Sequence, residues 1–358
     1  MIRQGVLPRQ LLNDLLSLGD ITGVTERYLN PASIDLPLSE EAYRMRSGFL
    51  IPPGATVREF FPTVGSDSHD LKHPLEVGVP YLIRIDGTWN IPDGVHGRAN
   101  PKSSTGRIFL SSRVLADRVG MYDTLAEGWS GELWVLVRPE CFPVRVSPGI
   151  ALVQMRLFEG QSTPLGRLEL DFATRRTGLL FDEEKRRIEK PEQDGDSLLL
   201  SVRVGERMGW ECRGSLQTLD LGSFDQDPAD FFEPIVPRSG MLKLRKGSAY
   251  ILATRERVMA PPAFSAELRA TNPQFGEFRV HSAGYIDPGW GYGADGTTCG
   301  RPITLELTAH EDLYLLSGQN VACIQYEHML QPPDVPYDLG DPSYRGEDGA
   351  VLAKFFKR

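Results

Sequence analysis

The sequence predicts a mainly β protein made of two tandem halves, each a β-barrel or jelly roll of short strands with a few short helices. Two observations support this prediction. The 358 residues include 36 glycines and 27 prolines, a content that favours short strands joined by turns over helix bundles. Five short landmarks of the first half also return in the same order in the second half, which indicates an internal duplication.

The landmarks are a glycine before an apolar strand, a proline, a short Arg-Ala motif, a Gly-Trp pair and a serine–glycine turn. In the first half they stand at Gly78, Pro92, 98–101, 128–129 and 147–149. In the second half they stand at Gly247, Pro261, 269–273, 289–290 and 317–318. The period is far longer than that of a solenoid repeat, so each copy is expected to be a β domain of its own.

The elements follow from local pattern. Residues 6–18 predict an amphipathic helix, and 30–36 predict a turn that leads into a strand. Apolar strands are expected over 81–83, 132–137, 150–158, 244–252, 303–307 and 321–324. The stretch 183–197 is dense in charge and has little to bury, so it predicts an exposed linker. The expected domains are 1–185 and 199–358, joined by the linker 186–198.

Composition excludes several classes of function. A net charge of −9 argues against broad binding of nucleic acid or anionic membranes, although a local basic pocket could still hold an anionic small molecule. The sequence shows no membrane-spanning apolar run and no secretory leader, so we expect a cytoplasmic protein. Its four cysteines form no C-x-x-C pair, and the H-x-E and P-C-x-x-C signatures of zinc nucleobase deaminases are missing. No metal site and no zinc are therefore expected.

One candidate site is the basic loop Lys102-Ser103-Ser104-Thr105-Gly106-Arg107. Two adjacent hydroxyls between a lysine and an arginine offer an oligophosphate point charges, a planar guanidinium fork and exposed N–H groups. Arg98 is a further candidate for the same ligand. The alternative is a solvated hairpin turn, because serine and arginine are common in loops.

A second candidate site follows in the other half. In Ile286-Asp287-Pro288-Gly289-Trp290, the Asp-Pro-Gly sequence favours a tight turn, and Asp287 either points into a site or caps the turn. In the strand 303–307, Glu306 and Thr304 share the face opposite the apolar residues. Glu306 is then either an exposed surface residue or a shielded carboxylate that can transfer protons.

The C-terminal segment is the last candidate. Tyr337, Tyr344 and a Lys-Phe-Phe-Lys-Arg end supply aromatic and basic anchors. These anchors fit a tail that closes over a bound anion, and a frayed terminus is the alternative.

Together these motifs resemble the dCTP deaminases of the trimeric dUTPase superfamily. The family pattern R-S-S-x-x-R is similar to K-S-S-T-G-R at 102–107, I-D-P-G-W-x-G to I-D-P-G-W-G at 286–291, and V-L-E to I-T-L-E at 303–306. N-P-A-S-I-D-L at 30–36 resembles the N-terminal strand signature, and 344–351 resembles the closing tail. The resemblance implies two tandem dUTPase-like β-barrel halves in an internally duplicated form, with 292–301 as an insertion.

The departures from the family pattern are complementary. Ala126-Glu127-Gly128-Trp129 replaces D-P-G-W in the first half, and Leu136 stands where the catalytic glutamate is expected. In the second half, 269–276 lacks the serine-rich loop. Family active sites lie between neighbouring barrels, so the resemblance implies sites built from both halves, within one chain or between chains of a homo-oligomer.

The resemblance implies hydrolytic deamination of dCTP to dUTP and ammonia without catalytic zinc, which would supply dUTP for thymidylate synthesis. Glu306 would be the catalytic acid–base. Substrate-binding roles would fall to Lys102, Ser103, Ser104, Arg107, Ala283, Tyr285, Asp287, Tyr337 and Tyr344, with Mg²⁺ bound to the triphosphate. Tyr285 replaces a family arginine. The alternatives are a dUTP diphosphatase, a bifunctional enzyme and a non-catalytic nucleotide-binding protein.

Overall fold

The computed structural model of the chain describes residues 4–161, 164–205, 209–237, 240–269, 275–280, 284–293, 299–340, 344, 346 and 348–357. Strand residues make up 41% and helix residues 12%, which confirms the prediction of a mainly β fold with two tandem halves.

The first half is organised around one large antiparallel sheet. Its strands are β1 (Gly5–Val6), β2 (Ile21–Thr22), β3 (Ile34–Met45), β4 (Ser66–Ser68), β5 (Tyr81–Ile85), β6 (Thr88–Asn90), β7 (Val95–Pro101), β8 (Leu110–Ala116), β9 (Thr124–Leu125), β10 (Ser130–Gly131), β11 (Leu133–Pro139), β12 (Val144–Arg145) and β13 (Ala151–Glu159). The sheet has the order β8-β11-β5-β3-β13-β7-β9, with β1 on β13 and β4 on β3. Strands β10, β6 and β2 form a smaller sheet beside it.

The second half contains two main sheets. Its strands are β14 (Leu180–Phe181), β15 (Gln193–Asp194), β16 (Ser197–Ser201), β17 (Trp210–Cys212), β18 (Leu219–Asp220), β19 (Phe232–Pro234), β20 (Met241–Leu244), β21 (Ala249–Val258), β22 (Phe264–Arg269), β23 (Phe278–Val280), β24 (Tyr285–Ile286), β25 (Arg301–Ala309), β26 (Leu313–Leu316) and β27 (Asn320–His328). The sheet orders are β19-β17-β21-β25-β23, with β14 on β21, and β15-β16-β27-β22-β24.

The helices are short. They are α1 (Arg9–Leu18), α2 (Phe61–Val64), α3 (Ser103–Gly106) and α4 (Arg167–Arg176), with 3₁₀ turns at Glu26–Tyr28, Arg58–Phe60, Pro228–Asp230 and Tyr337–Leu339. Helix α1 begins three residues later than predicted, because Gly5–Val6 pairs with β13 and Pro8 precedes the first turn. In the described part of the chain, no helix is long and apolar enough to cross a membrane.

Each half has its own apolar core, but the chain crosses between the cores at several places, and Phe231 and Phe232 of the second half pack in the core of the first. Leu170 and Leu180 pack in the core of the second half, although they precede the predicted linker. Conversely, Phe355 and Phe356 near the C-terminus pack in the core of the first half. Leu198, at the end of the predicted linker, is fully buried in β16. The limits 1–185, 186–198 and 199–358 stay predictions.

The halves are joined by a buried polar network centred on Arg156 of β13, which is 0% exposed. Its guanidinium pairs with Glu327 at 2.6 Å and with Glu267 at 3.1 Å, both from the second half. Asn100 accepts a hydrogen bond from Arg156 at 3.1 Å and donates one to Glu267 at 2.8 Å. Because breaking a buried, hydrogen-bonded charge pair is strongly destabilising, this network fixes the relative position of the halves.

Candidate active site

A pocket of about 160 Å³ lies between the two halves of the chain. The predicted substrate-binding residues that line it are Lys102, Ser103, Ser104, Arg107, Tyr285, Asp287, Tyr337 and Tyr344. Ala283, the remaining predicted substrate-binding residue, lies outside the described residues. The fold thus gathers in one place, within a single chain, residues that the sequence places far apart.

The basic loop folds as one helical turn, not as a solvated hairpin turn. Lys102 keeps an extended backbone, and the next four residues form α3. The amide nitrogen of Arg107 donates to the carbonyl of Ser103 at 3.0 Å, which extends the turn by one residue. This geometry buries Thr105 and presents Ser104 and Arg107 to the pocket.

The N-terminal strand signature forms the wall beside Lys102. The Lys102 ammonium pairs with Asp35, and the other oxygen of Asp35 accepts a hydrogen bond from the Asn30 amide at 2.8 Å. The hydroxyl of Ser33 donates to Gln154 at 2.9 Å. Asn30 and Gln154 both line the pocket, so the motif at 30–36 positions the lysine and shapes the site.

Glu306 is a buried carboxylate, not a surface residue. It lies in β25 opposite Ile251 of β21 and is 1% exposed. Its Oε1 lies 3.9 Å from Nε of Arg107, which is 3% exposed. A cationic group of the first half and an acid of the second half therefore meet in the same chain.

The Asp-Pro-Gly turn has the tight geometry that its sequence predicts. Gly289 has φ 95°, in the left-handed region that favours glycine. A Cβ atom there would lie 2.5 Å from Cβ of Pro336 and 2.7 Å from the nitrogen of Tyr337. That nitrogen donates to the carbonyl of Pro288 at 2.9 Å. Glycine at position 289 therefore allows the close approach of the turn to Pro336 and Tyr337, which places Tyr337 in the pocket wall.

Asp287 has an unusual environment for a carboxyl group. It is 9% exposed, and burial, followed by the negative charge of Asp35, raises its pKa from 3.8 to about 7. The backbone N–H of Ala32 and the charges of Lys102 and Arg156 act in the opposite direction. Within the described part of the chain, Oδ1 of Asp287 has no hydrogen-bond partner. The group can therefore exchange protons near neutral pH or accept a hydrogen bond from a ligand.

Tyr285 connects the pocket to the interface between the halves. It is 4% exposed, and the guanidinium of Arg156 lies 4.5 Å from the centre of its ring. Such cation–π contacts are stronger when both groups are shielded from water. The buried Arg156 network therefore fixes the side chain that replaces the family arginine.

The C-terminal segment covers the pocket and is not a frayed terminus. The ring of Tyr344 lies 4.0 Å from the guanidinium carbon of Arg107, which donates to the carbonyl of Val351 at 3.1 Å. The hydroxyl of Thr304 donates to the carbonyl of Gly349 at 3.1 Å. The tail is thus attached to groups of both halves.

The sequence analysis named Lys354 only as one of the basic anchors of the tail and assigned it no place in the site, whereas the structure places it in the pocket lining. Burial, followed by the positive charge of Lys102, lowers the pKa of its ammonium group. The signal was a lysine in an aromatic C-terminal motif, which predicts burial of the rings but not the direction of the lysine. Trp290 was also missed as a pocket residue, although it ends the Asp-Pro-Gly-Trp motif.

Other candidate groups lie elsewhere. Arg98 does not contribute to the pocket lining, because its guanidinium lies 3.5 Å from Glu327 in the interface network. In the first half, Leu136 packs in an apolar cluster, and Glu127 is exposed and accepts a hydrogen bond from the nitrogen of Gly94. The second-half counterpart of the basic loop falls largely on 270–274, outside the described residues.

Comparisons with known proteins agree with this architecture. The family model of the 2'-deoxycytidine 5'-triphosphate deaminase N-terminal domain matches residues 3–161, and that of the C-terminal domain matches residues 172–356. A crystal structure of 2'-deoxycytidine 5'-triphosphate deaminase from Agrobacterium tumefaciens superposes with a TM-score of 0.85. The two sequences are 32% identical, over 92% of this chain and 97% of that chain. No curated protein matches the sequence. The chain therefore belongs to the 2'-deoxycytidine 5'-triphosphate deaminase family.

Proposed function

We propose that this chain hydrolytically deaminates dCTP to dUTP and ammonia. The observation that carries the proposal is the buried Glu306 carboxylate, which lies behind the pocket wall, 3.9 Å from the guanidinium of Arg107, a residue that lines the pocket together with the serine-rich turn. Family membership supports the choice of substrate. In the proposed site, the first half binds the phosphates and the second half carries out the proton transfers.

The triphosphate would bind to Ser103, Ser104 and Arg107, with Lys102 and the tail residue Lys354 completing a cationic wall. Arginine and lysine suit this role because their hydrogen bonds to phosphate are charge-assisted. Mg²⁺ would arrive with the triphosphate as part of the substrate. The aromatic rings of Tyr337 and Tyr344, which line the same pocket, would exclude water from the bound nucleotide.

In the proposed reaction, Glu306 accepts a proton from water as the water oxygen bonds to C4 of cytosine. The carboxyl group then gives this proton to N3, and the carboxylate transfers the proton of the new C4 hydroxyl to the amine, so that the C4–N4 bond breaks, the C4 carbonyl forms and ammonia departs. General acid–base catalysis of this kind contributes roughly 10²–10⁴-fold. Asp287 would contact the sugar or the attacking water, and the backbone near Ala283 and Tyr285 would position the base.

A direct assay separates deamination from the alternatives. The purified chain is incubated with dCTP, and separately with dUTP, in buffer that contains Mg²⁺, and ammonia and pyrophosphate are measured. We expect one ammonia for each dUTP formed and no pyrophosphate. Release of pyrophosphate from dUTP without release of ammonia from dCTP would identify a diphosphatase. Release of both products would identify a bifunctional enzyme. Tight dCTP binding without turnover would identify a nucleotide-binding protein.

The proposal also includes independence from zinc. A strong zinc chelator should leave the rate of ammonia release unchanged when Mg²⁺ is in excess, because a glutamate performs the proton transfers. Loss of activity that added zinc restores would contradict this part. We further propose that the enzyme works in the cytoplasm as a homo-oligomer and that its dUTP supplies thymidylate synthesis.

A further inference from the structure

A second and larger cavity, of about 370 Å³, also lies between the two halves. It shares only the wall formed by the end of α3: Gly106 lines the larger cavity, whereas Ser103, Ser104 and Arg107 line the smaller pocket. Along β25, Thr304 lines the smaller pocket and Thr308 the larger cavity, with Glu306 between them on the same face of the strand. The Arg107–Glu306 pair therefore separates the two spaces.

Strand register explains which side chains face the larger cavity. In the first half, Ser111 of β8 lies directly opposite Arg138 of β11, and Arg113 follows two residues later on the same face. All three side chains line the cavity. This edge of the first barrel therefore presents two guanidinium groups and a hydroxyl.

The second half supplies a matching set. Arg279 of β23 lies directly opposite Thr308 of β25, and His310 follows two residues beyond Thr308. These three residues also line the cavity. The sequence alignment that matches Leu136 to Glu306 also matches Arg138 to Thr308, each two residues further along its strand. Each half thus contributes one arginine and one hydroxyl from equivalent cross-strand pairs.

The lining of this cavity holds three arginines and one carboxylate, that of Glu140, so its charge is positive although the whole chain carries −9. Arg113 pairs with Asp123 and Arg138 with Glu140, each at 2.9 Å, and these arginines remain 39% and 52% exposed. The Arg138–Glu140 pair is the more exposed of the two and therefore weak, so the Arg138 guanidinium can turn to a ligand, whereas Arg113 stays beside the largely buried Asp123 while it lines the cavity. Among the described residues, Arg279 and His310 have no carboxylate partner within 4.0 Å.

We propose that this cavity is a second anion site, which binds a phosphate-bearing ligand between the two halves. Arginine forks and adjacent hydroxyls suit the oxygens of phosphate, and the volume falls within the range of small-molecule pockets. The lining has two aromatic side chains: the exposed imidazole of His310, and Phe109, which is 2% exposed and offers no face for a nucleobase. Because the arginines and hydroxyls outnumber the aromatic faces, we expect phosphate groups to supply most of the recognition in this cavity.

Inorganic tripolyphosphate is the probe, and calorimetric titration of the full-length chain is the measurement. Wild type should bind two tripolyphosphate ions per chain. Lys102→Gln alters the smaller pocket, and the double variant Arg138→Gln/Arg279→Gln alters the larger cavity. Each variant should weaken binding at its own site by about 10- to 100-fold, because charge-assisted hydrogen bonds are lost. Arg175→Gln/Arg186→Gln removes two exposed charges elsewhere and should bind like wild type.

Retention of two unchanged sites in Arg138→Gln/Arg279→Gln, or a single site in wild type, would overturn the proposal. The single variant Arg279→Gln controls for misfolding of the double variant, because the Arg279 side chain is exposed and its replacement should not disturb the fold. It should still weaken binding at the second site. In Lys102→Gln, dCTP should bind the remaining site no more tightly than tripolyphosphate does. Tenfold tighter binding of dCTP would refute recognition mainly through phosphate. None of these measurements needs turnover, so failure of deamination would leave the result intact.

Discussion

The Arg107–Glu306 pair is the residue-scale feature that most clearly points to function. Both side chains are almost completely buried, and removing charges from water costs several kcal/mol per ion even after relaxation. Their closest charged atoms lie 3.9 Å apart, and the Arg107 guanidinium also donates to the carbonyl of Val351 and contacts the ring of Tyr344. The pair is thus held beside the pocket by both halves and the tail, a position that fits a role in binding and proton transfer.

Glu306→Gln tests the proposed acid–base role. The amide keeps the shape of the side chain but cannot accept the proton from water, so ammonia release from dCTP should fall by at least about 10²-fold. Binding of dCTP, measured by titration, should stay within a fewfold of wild type. Activity close to wild type in this variant would remove Glu306 from the mechanism.

Asp287 should make stability depend on pH. Its pKa is about 7 in the folded chain and near 3.8 when exposed, so between these values the folded state holds a proton that the unfolded state releases. The free energy of unfolding should therefore fall as pH rises from about 4 to 7, by about 4 kcal/mol from this group alone. Denaturant unfolding across this range measures it.

Asp287→Asn is the matched variant for this prediction, since the amide has nearly the same shape and does not titrate. Its free energy of unfolding should lack the part of the decline that Asp287 causes. Identical pH dependence in wild type and variant would show that Asp287 keeps an ordinary pKa.

At the scale of elements, the site depends on short segments held by larger ones. Helix α3 is only four residues long, but it is placed by β7 before it and by β8 after it. The described residues of the C-terminal segment form no regular strand, yet the ring centre of Phe356 lies 5.7 Å from that of Phe231 and 5.5 Å from that of Phe232. The tail is thus anchored in the core of the first half beyond the point where it covers the pocket.

Phe356→Ala tests this anchoring. Although Phe356 is the third residue from the C-terminus, it is 3% exposed, and its truncation should lower the free energy of unfolding by about 3 to 5 kcal/mol. Leu339→Ala, at a side chain that is 55% exposed, serves as the control and should change it by less than about 0.5 kcal/mol. A loss below about 1 kcal/mol for Phe356→Ala would mean that the tail frays in solution.

What the sequence could predict was local. Alternation in the strand 303–307 placed Glu306 opposite an apolar face, and Asp-Pro-Gly predicted a tight turn, because both depend on neighbouring residues. The pairing of Arg156 with Glu327 depends on strands 171 positions apart, and no local pattern reports it. The helical turn of α3 was missed for the same reason: two serines favour loops, and the packing around Thr105 decides otherwise.

At the scale of the whole molecule, duplication allowed the two halves to specialise. The first half keeps the serine-rich turn and has Leu136 in place of the acid, while the second half keeps Glu306. Because the Arg156 network holds the halves together, one chain contains a complete pocket. We therefore propose that each active site lies within a single chain, whatever the oligomeric state.

Co-expression of Arg107→Ala and Glu306→Gln chains, assayed for ammonia release at dCTP concentrations below KM, tests this claim most directly. If each site lies within one chain, the mixture should show no more activity than the average of the two variants alone. Wild type co-expressed with the double variant should then keep half of the wild-type rate. If sites instead lie between chains, random pairing should complete a quarter of them in the first mixture. Recovery of about a quarter of the wild-type rate there would contradict a site within one chain.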